Sequence, residues 1–445
     1  MKIWNNIEVA KALELEINFK FDANSVTTDS RSIKGGELFI TLKGDNFDGN
    51  KFVEDAIKKG AVAVICDDKE IAKNIKSSIL VEDGLKALTK LAKYLRKTAL
   101  TKIIAITGSV GKTTTKELVR DILSLNHKVH STIGNLNNHI GLPLTLTNMP
   151  PDAEFAVLEM GMNHADEIYH LSSIARPDIA VISWIAENHI ENLGSLENIA
   201  KAKAEIFDWL KRSGVAIIPA DNEQFSTLIE ILENSGITNI LSFGTEYNNV
   251  YEEGDNYAFN VEEHDFIISK KICNELVLNN ILCALSICNQ AGADISGAKK
   301  IIEKFKPVRG RGERFKLKNG AEIIDDSYNA SPTSMKKALK NLAEEKSGRK
   351  IAVLGNMLEL GEDTKKYHEE IANHLIGVDE VYCVGNFMEY LSKKLPKQLK
   401  NKYFSDYKAA LATLRSEAKK GDKILIKGSH GSNLWKLVEN LRQEM

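Results

Sequence analysis

The stretch Ile104–Leu118, IAITGSVGKTTTKEL, places an apolar run, two glycines, a lysine and three consecutive threonines ahead of an amphipathic segment. A strand that turns tightly and opens a helix gathers backbone N–H groups at the positive end of the helix dipole, which makes a concave anion site. Gly108 and Gly111 permit the tight backbone, and Ser109, Val110 and Thr114 complete the cradle. Lys112 has the reach to bridge phosphates, and Thr113 holds the hydroxyl position that meets Mg²⁺ in such loops. The pattern departs from GxxxxGK[ST]: Ile106 stands at the first glycine position, and the glycine comes at 108. Leu118, Ile122 and Leu125 keep a helical spacing beyond it. The stretch predicts a variant phosphate loop for a nucleoside triphosphate, in preference to a chance Gly-Lys turn.

Outward from this loop, KIIAI, FAVLEM, DIAVISWI and GVAIIPA alternate with helix-length amphipathic segments, the pattern of a parallel α/β sheet. A second series, AEIID, KIAVLG, EVYCVG and DKILIKG, predicts a smaller Rossmann-like domain. Between the two series KPVRGRGERFK is basic and glycine-rich, a natural hinge near residue 308. Ahead of both, SVTTDSRSIKGGELFITLKGDNFDGNKF is rich in turns, and GAVAVIC reads as a buried strand. The expected limits are 1–97 for a small mixed α/β domain, 98–308 for a central parallel-sheet α/β domain holding the phosphate loop, and 309–445 for the Rossmann-like α/β domain.

The 445 residues leave room for two or three domains with their own cores. Lysine plus arginine (59) nearly balance aspartate plus glutamate (61), so the formal charge of -2 excludes a global attraction to nucleic acid or anionic membranes. The five cysteines are scattered without a CxxC pair, which suits reduced core thiols better than disulfides or zinc. The N-terminal stretch lacks the apolar core of a signal peptide, and no apolar run approaches the ~20 residues needed to cross a bilayer. A cytoplasmic protein without stable membrane insertion is expected.

Other chemistry-bearing residues fall at strand ends. Glu159 closes FAVLE, where an acid is well placed for a metal, or else caps a helix or is solvated. His189, in WIAENHIENLGS, follows another strand and falls on the same rim; alone it reads as a loop histidine. In SLENIAKAKAEIFDWL the apolar Ile199, Ala202, Ile206, Phe207 and Leu210 leave one slot on the inward stripe to Lys203. A lysine there is paired, snorkels, or loses its charge, and a neutral amine can take up CO₂ as a carbamate, an anionic metal ligand. Arg309, Arg311 and Arg314 read as a solvated face, or as a hinge cluster whose Arg311 swings toward the nucleotide. The acids and amides of IIDDSYNASP follow a strand, where a ribose or a substrate could be gripped.

Together TDSRSIKGGELFITLKGDNFDG, AITGSVGKTTTKE, GNLNNHIGLPLT, LEMGMNHADEI, ENHIENLGSLENIAKAKAEIF, DDSYNASPTSM, LGNMLELGE and ILIKGS resemble, from end to end, the Mur ligases of peptidoglycan synthesis, and within them the branch that adds D-alanyl-D-alanine. The resemblance implies three domains and an ATP-dependent amide ligation. The carboxylate of UDP-N-acetylmuramoyl-tripeptide becomes an acyl phosphate, and the amine of D-alanyl-D-alanine displaces phosphate. It implies that Lys112 clamps the phosphates, that Thr113 and Glu159 hold one Mg²⁺, and that Glu159, His189 and carbamylated Lys203 serve a second. Asn280, Arg311 and Asp326 are implied for adenine, γ-phosphate and ribose, Ser30 and Arg31 for the UDP-sugar, and Asn137, Asn138 and Asn329 for the peptide substrate. A monomer is expected. The chain departs from the family pattern at Asn50, Asn279, Cys283, Ser331, Asn356 and His430.

Ligases that add the third amino acid carry DNPR and DYAHTP signatures, which are absent here. Folylpolyglutamate synthase begins almost at its phosphate loop, whereas about a hundred residues precede this one. A P-loop switch or motor needs no UDP-binding front domain, and a non-catalytic UDP-sugar binder would not need Lys112, Glu159, His189 and Lys203 together.

Overall fold

The computed structural model describes residues 3–443 apart from 45, 46, 271 and 274, so Asp45 and Asn46 of the first family motif lie outside the described residues. Three α/β units follow one another along the chain. In the first, strands Ser25–Thr27, Glu37–Ile40, Ala63–Cys66 and Ser78–Leu80 pair in parallel in chain order. Ala63–Cys66 is buried throughout, as a parallel strand covered on both faces must be. Helix Gly84–Thr98 is capped by Asp83, which accepts from the Lys86 N–H at 2.7 Å, and it lays Leu88 and Leu91 on the sheet. The same helix carries Arg96 into the next unit, where it donates to the carbonyls of Thr101, Ala175 and Arg176 and pairs with Asp178 at 2.9 Å.

The central sheet is parallel throughout. Its order is Val129–Ser131, Phe155–Glu159, Lys102–Thr107, Ile179–Ile182, Val215–Pro219, Ile240–Phe243. Side chains alternate between two cores. Ile104, Ile106 and Val157 pack with Leu118, Ile122 and Leu285, whereas Ile103, Ala105 and Leu158 pack with Leu171 and Ile199. Because Lys102–Thr107 lies between Phe155–Glu159 and Ile179–Ile182, the loops leaving these strands share one crevice at their carboxyl ends, the place where α/β sheets bind ligands. The helix after the phosphate loop spans Lys112–Leu123, so Leu125 falls beyond its end and is 42% exposed. The helical spacing read from Leu196 to Leu210 also stops early: an α-helix covers Leu196–Ala204 and a 3₁₀ turn covers Glu205–Phe207, with Lys203 buried all the same.

The third unit has the order Glu313–Lys316, Glu322–Asp326, Lys423–Lys427, Lys350–Gly355, Glu380–Val384, Lys400–Phe404, parallel except for its first edge strand. All four runs read as strands in this half are present. The two edge strands and the antiparallel sheet over Tyr251–Glu253, Asn256–Val261 and His264–Ser269 carry too many polar residues to show as buried runs. Among the described residues no helix is long and apolar enough to cross a membrane. All five cysteines are buried and unpaired with one another, and burial pushes the Cys273 and Cys383 thiols up to about 12.

Candidate active site

The phosphate loop is built from strain and close approach. Gly111 has φ +89°, and a Cβ there would lie 2.2 Å from Asn280 Oδ1; Gly108 has φ +149°, with a Cβ 2.1 Å from Ser183 Oγ. Neither position admits a side chain. The following loop braces the turn: the Ser109 N–H donates to the Trp184 carbonyl at 2.7 Å, Ser183 Oγ to the Val110 carbonyl at 2.7 Å, and Asn188 Nδ2 to the Ser109 carbonyl at 3.2 Å. Gly111 offers no side-chain cap to helix Lys112–Leu123, so its first-turn N–H groups remain for an anion. Lys112 Nζ donates to the Gly108 carbonyl at 2.5 Å, and burial lowers its pKa to about 8, against the pull of Glu159 and with the push of Arg311.

Behind the loop, Glu159 is 2% exposed. Its Oε2 accepts from Thr113 Oγ1 at 2.8 Å and its Oε1 from Asn137 Nδ2 at 2.9 Å, and among the described residues it forms no ion pair. A buried carboxylate held only by neutral donors, beside a threonine hydroxyl, is the hard-oxygen chemistry that Mg²⁺ takes, so these residues fit such an ion. Among the described residues no three of His, Cys, Asp and Glu converge as a ready metal cage. Glu159 and His189 line one cavity, and Lys203 does not line it. Lys203 is 2% exposed and its amine, among the described residues, forms no hydrogen bond or ion pair. Burial first, then the charge of Lys112, lowers its pKa well below 10.5, the direction that yields a neutral amine. His189 has φ +61° and faces the Glu359 carboxylate through Nδ1.

The cavity, of about 450 Å³, lies between the central and third units. Arg311 enters it from the third unit with its guanidinium 4.3 Å from the centre of the Tyr328 ring. Asp326 pairs with Lys427 at 2.7 Å, and burial pushes its carboxyl above the usual range despite that partner. Asn280 also lines it and accepts from Thr115 Oγ1 at 3.4 Å. Asn138 and Asn329 line it too, though the side-chain oxygen of each is taken: Asn138 accepts from the Ile140 and Gly141 N–H groups, Asn329 from that of Ala330. Ser30 and Arg31 are not in the cavity. They sit on the 3₁₀ turn Ser30–Ser32 of the first unit, with Ser30 buried and Arg31 forked on Asp29.

Three segments match the profiles of one family: residues 22–102 the Mur ligase family catalytic domain, 106–288 the Mur ligase middle domain, and 310–430 the Mur ligase glutamate ligase domain. The chain is 38% identical to the UDP-N-acetylmuramoyl-tripeptide–D-alanyl-D-alanine ligase of Rickettsia prowazekii over 98% of this chain and 99% of that one. The chain belongs to the Mur ligase family. Its structure is similar to that of MurF from Acinetobacter baumannii, with a TM-score of 0.85, 28% identity and 99% of each chain covered. It is also similar to MurF ligase from Thermotoga maritima in complex with ADP, with a TM-score of 0.79, 29% identity, and 94% and 97% covered.

Within this Mur ligase, several cavity or interface residues had no role assigned from sequence: Asn188, Tyr328, Glu359 and Lys427. All four stand inside the family motifs, so the signal was their presence there, while their partners lie far along the chain. Most departures from the family pattern have structural work. Asn50 Nδ2 bonds Asp48 and Asp67, Ser331 caps helix Pro332–Ala343, Asn356 accepts from the Phe387 N–H at 3.1 Å, and His430 stacks on Trp435. Cys283 is a buried thiol.

Proposed function

We propose that this Mur ligase is an ATP-dependent ligase that joins D-alanyl-D-alanine to UDP-N-acetylmuramoyl-tripeptide through an acyl phosphate, as a cytoplasmic monomer in peptidoglycan precursor synthesis. The observation that carries the reading is the end-to-end similarity to a ligase of that name, including the front unit that a nucleotide switch lacks. Residues 1–97 hold the UDP-sugar through Ser30 and Arg31, 98–308 hold ATP, and 309–445 close on the nucleotide.

Chemistry follows from charge. A substrate carboxylate oxygen attacks the γ-phosphorus while the bond to ADP breaks, and two anions must approach. Lys112 and Arg311 offset that repulsion from opposite walls, and the N–H groups over 108–114 hold the β- and γ-phosphates. Asn280 meets the adenine and Asp326 the ribose. The amine of the dipeptide, having shed one proton to solvent, then attacks the acyl carbon; the new C–N bond forms, phosphate leaves with the electron pair of the broken C–O bond, and the nitrogen gives up a second proton to become the amide. Asn137, Asn138 and Asn329 keep the peptide end in place beside the loop. Acyl phosphates hydrolyse readily, so a cavity closed by a second unit protects yield by excluding water.

Mg²⁺, when bound, offsets phosphate charge and supplies Lewis acidity. Thr113 and Glu159 would hold one ion, and Glu159, His189 and the carbamate of Lys203 a second. Burial without a partner supports the carbamate, because only the neutral amine reacts with CO₂.

The deciding experiment measures ADP release with UDP-N-acetylmuramoyl-tripeptide while offering D-alanyl-D-alanine, diaminopimelate, lysine or glutamate as amine. Release that depends on both the tripeptide and the dipeptide is expected. Turnover of ATP without either substrate would identify a switch, and preference for a single amino acid a different ligase.

A further inference from the structure

The His189 loop of the central unit meets the third unit at a residue that the proposed reaction does not use. Chain 356–360 leaves strand Lys350–Gly355 and is pinned within its own unit. The Met357 N–H donates to His368 Nε2 at 3.0 Å, the Leu358 N–H to Ser429 Oγ at 3.0 Å, and Asn356 Oδ1 accepts from the Phe387 N–H. From this fixed loop Glu359 makes two contacts across the interface. Its carboxylate meets His189 Nδ1, and its carbonyl accepts from the Glu191 N–H at 3.1 Å. A second bond joins the same faces, from Thr333 Oγ1 to the Glu187 carboxylate.

Both ends of the contact are backbone exceptions, with φ +61° at His189 and +62° at Glu359, neither of them glycine. The Glu359 side chain is 48% exposed, and an ion pair this open contributes little to stability. Sparsely populated conformations held on both sides of a weak ion pair point to a role in aiming a side chain.

Imidazole chemistry says which. In this structure Nδ1 is buried and stands at contact distance from the carboxylate without an aligned hydrogen bond. A carboxylate only accepts, so the tautomer it can favour is the one with the proton on Nδ1, which leaves Nε2 as the nitrogen with a lone pair. A carboxylate behind a histidine is the recurring device for setting the ring and tautomer of a metal-facing imidazole. Here the carboxylate and the imidazole belong to different units. We propose that Glu359 is a positioning residue for His189: the third unit brings in the carboxylate that fixes the proton on Nδ1, so the imidazole is set only when the two units are docked. Assembly of the site is thereby tied to closure. This inference rests on His189 belonging to the working site.

The test uses full-length protein with ¹⁵N-labelled histidine, metal-free and saturated with a non-hydrolysable ATP analogue so that the units are docked, the His189 signals being assigned by their loss in His189→Asn. Wild type and Glu359→Gln, whose amide oxygen still accepts, are expected to show a single Nδ1–H tautomer; Glu359→Ala is expected to show averaging of the two. With Mn²⁺ and a non-hydrolysable ATP analogue, spin-resonance titration should show Mn²⁺ affinity falling about tenfold or more in Glu359→Ala, in line with the usual effect of such partners. Affinity in Glu359→Gln should stay near wild type. An unchanged tautomer in Glu359→Ala, or a Glu359→Gln as impaired as Glu359→Ala, overturns the proposal. Failure of the dipeptide-dependent ADP release would instead remove the assigned reaction and leave the tautomer result standing.

Discussion

Replacing Lys203 by methionine separates function from stability. The residue is 2% exposed and its amine has no partner among the described residues, so the folded state keeps little of the hydration that an amine has in water. Leaving such a group unsatisfied costs about 1–3 kcal/mol, whereas a near-isosteric apolar replacement disturbs packing by less than about 1.5 kcal/mol. The difference predicts Lys203→Met between neutral and about 2 kcal/mol more stable, read from urea midpoints of metal-free protein in CO₂-free buffer. Turnover should fall about 10²–10³-fold, the usual loss when one charge-stabilising group is removed. Bicarbonate should stabilise wild type in the presence of Mg²⁺ and leave Lys203→Met unmoved, since only the amine can carry CO₂. In Lys203→Ala the vacated space should let bicarbonate restore part of the activity. A methionine variant that turns over within tenfold of wild type would end the functional reading of Lys203. One destabilised by more than about 2 kcal/mol would show instead that the amine supports the fold.

Arg311→Ala should lower kcat about 10²-fold while ATP affinity changes little, because its guanidinium enters the cavity from the third unit; an unchanged kcat with a raised ATP KM would contradict this. Gly111→Ala forces a Cβ to 2.2 Å from Asn280 Oδ1 at φ +89°, and strain plus overpacking should cost about 2–4 kcal/mol of stability and abolish nucleotide binding, checked by unfolding and by calorimetry with an ATP analogue. His368 donates from Nδ1 to the Thr364 carbonyl and accepts at Nε2, so it is buried neutral, with its pKa held below 6.5 by burial. The unfolded chain therefore takes up its proton first, and stability present above pH 6.5 declines as pH falls, by at most about 1.4 kcal/mol per unit. In urea titrations at pH 7.5 and 5.5, His368→Gln should lose that share of the slope.

The phosphate loop was legible because its chemistry is local: each glycine, the lysine and the threonine act within one turn of the strand that precedes them. Parallel strands such as Lys102–Thr107 and Lys350–Gly355 were legible because burial on both faces leaves continuous apolar runs. Edge strands escaped notice for the converse reason. Lys400–Phe404 faces solvent on much of its surface and reads KNKYF. The burial of Lys203 was visible in helical spacing, although the helix ends at Ala204 and the spacing was carried to Leu210. Pairings across the cavity had no local signature. Nothing near Glu359 in sequence announces His189, and nothing near Asp326 announces Lys427, because such contacts are set by how units dock.

The two joints of the molecule differ in kind, and the difference decides which one moves. Between the first and central units, Arg96 is buried with three carbonyls and Asp178, Trp4 Nε1 donates to the Thr147 carbonyl at 2.8 Å, and Asn148 completes the Val26 backbone on both sides. Opening that joint would strip a guanidinium of its partners, and breaking a buried pair costs about 3–5 kcal/mol before the other bonds are counted. Between the central and third units, apart from the contacts of Glu359 and Thr333 with the loop over 187–191, the ion pairs Lys340–Glu275 and Lys346–Asp255 are 3.8 and 3.9 Å long with all four side chains more than half exposed. Pairs of that sort contribute about 0–1 kcal/mol each and weaken in salt. The chain crosses this joint once, through the glycine-bearing turn at 307–312, where Gly310 and Gly312 have positive φ. The contrast predicts that domain motion falls to the third unit, which carries Arg311, Asp326 and Glu359, so that the residues completing the site arrive by the weaker joint after the nucleotide has entered. Small-angle scattering should then show the protein becoming more compact on adding a non-hydrolysable ATP analogue, and an unchanged radius of gyration would contradict the prediction.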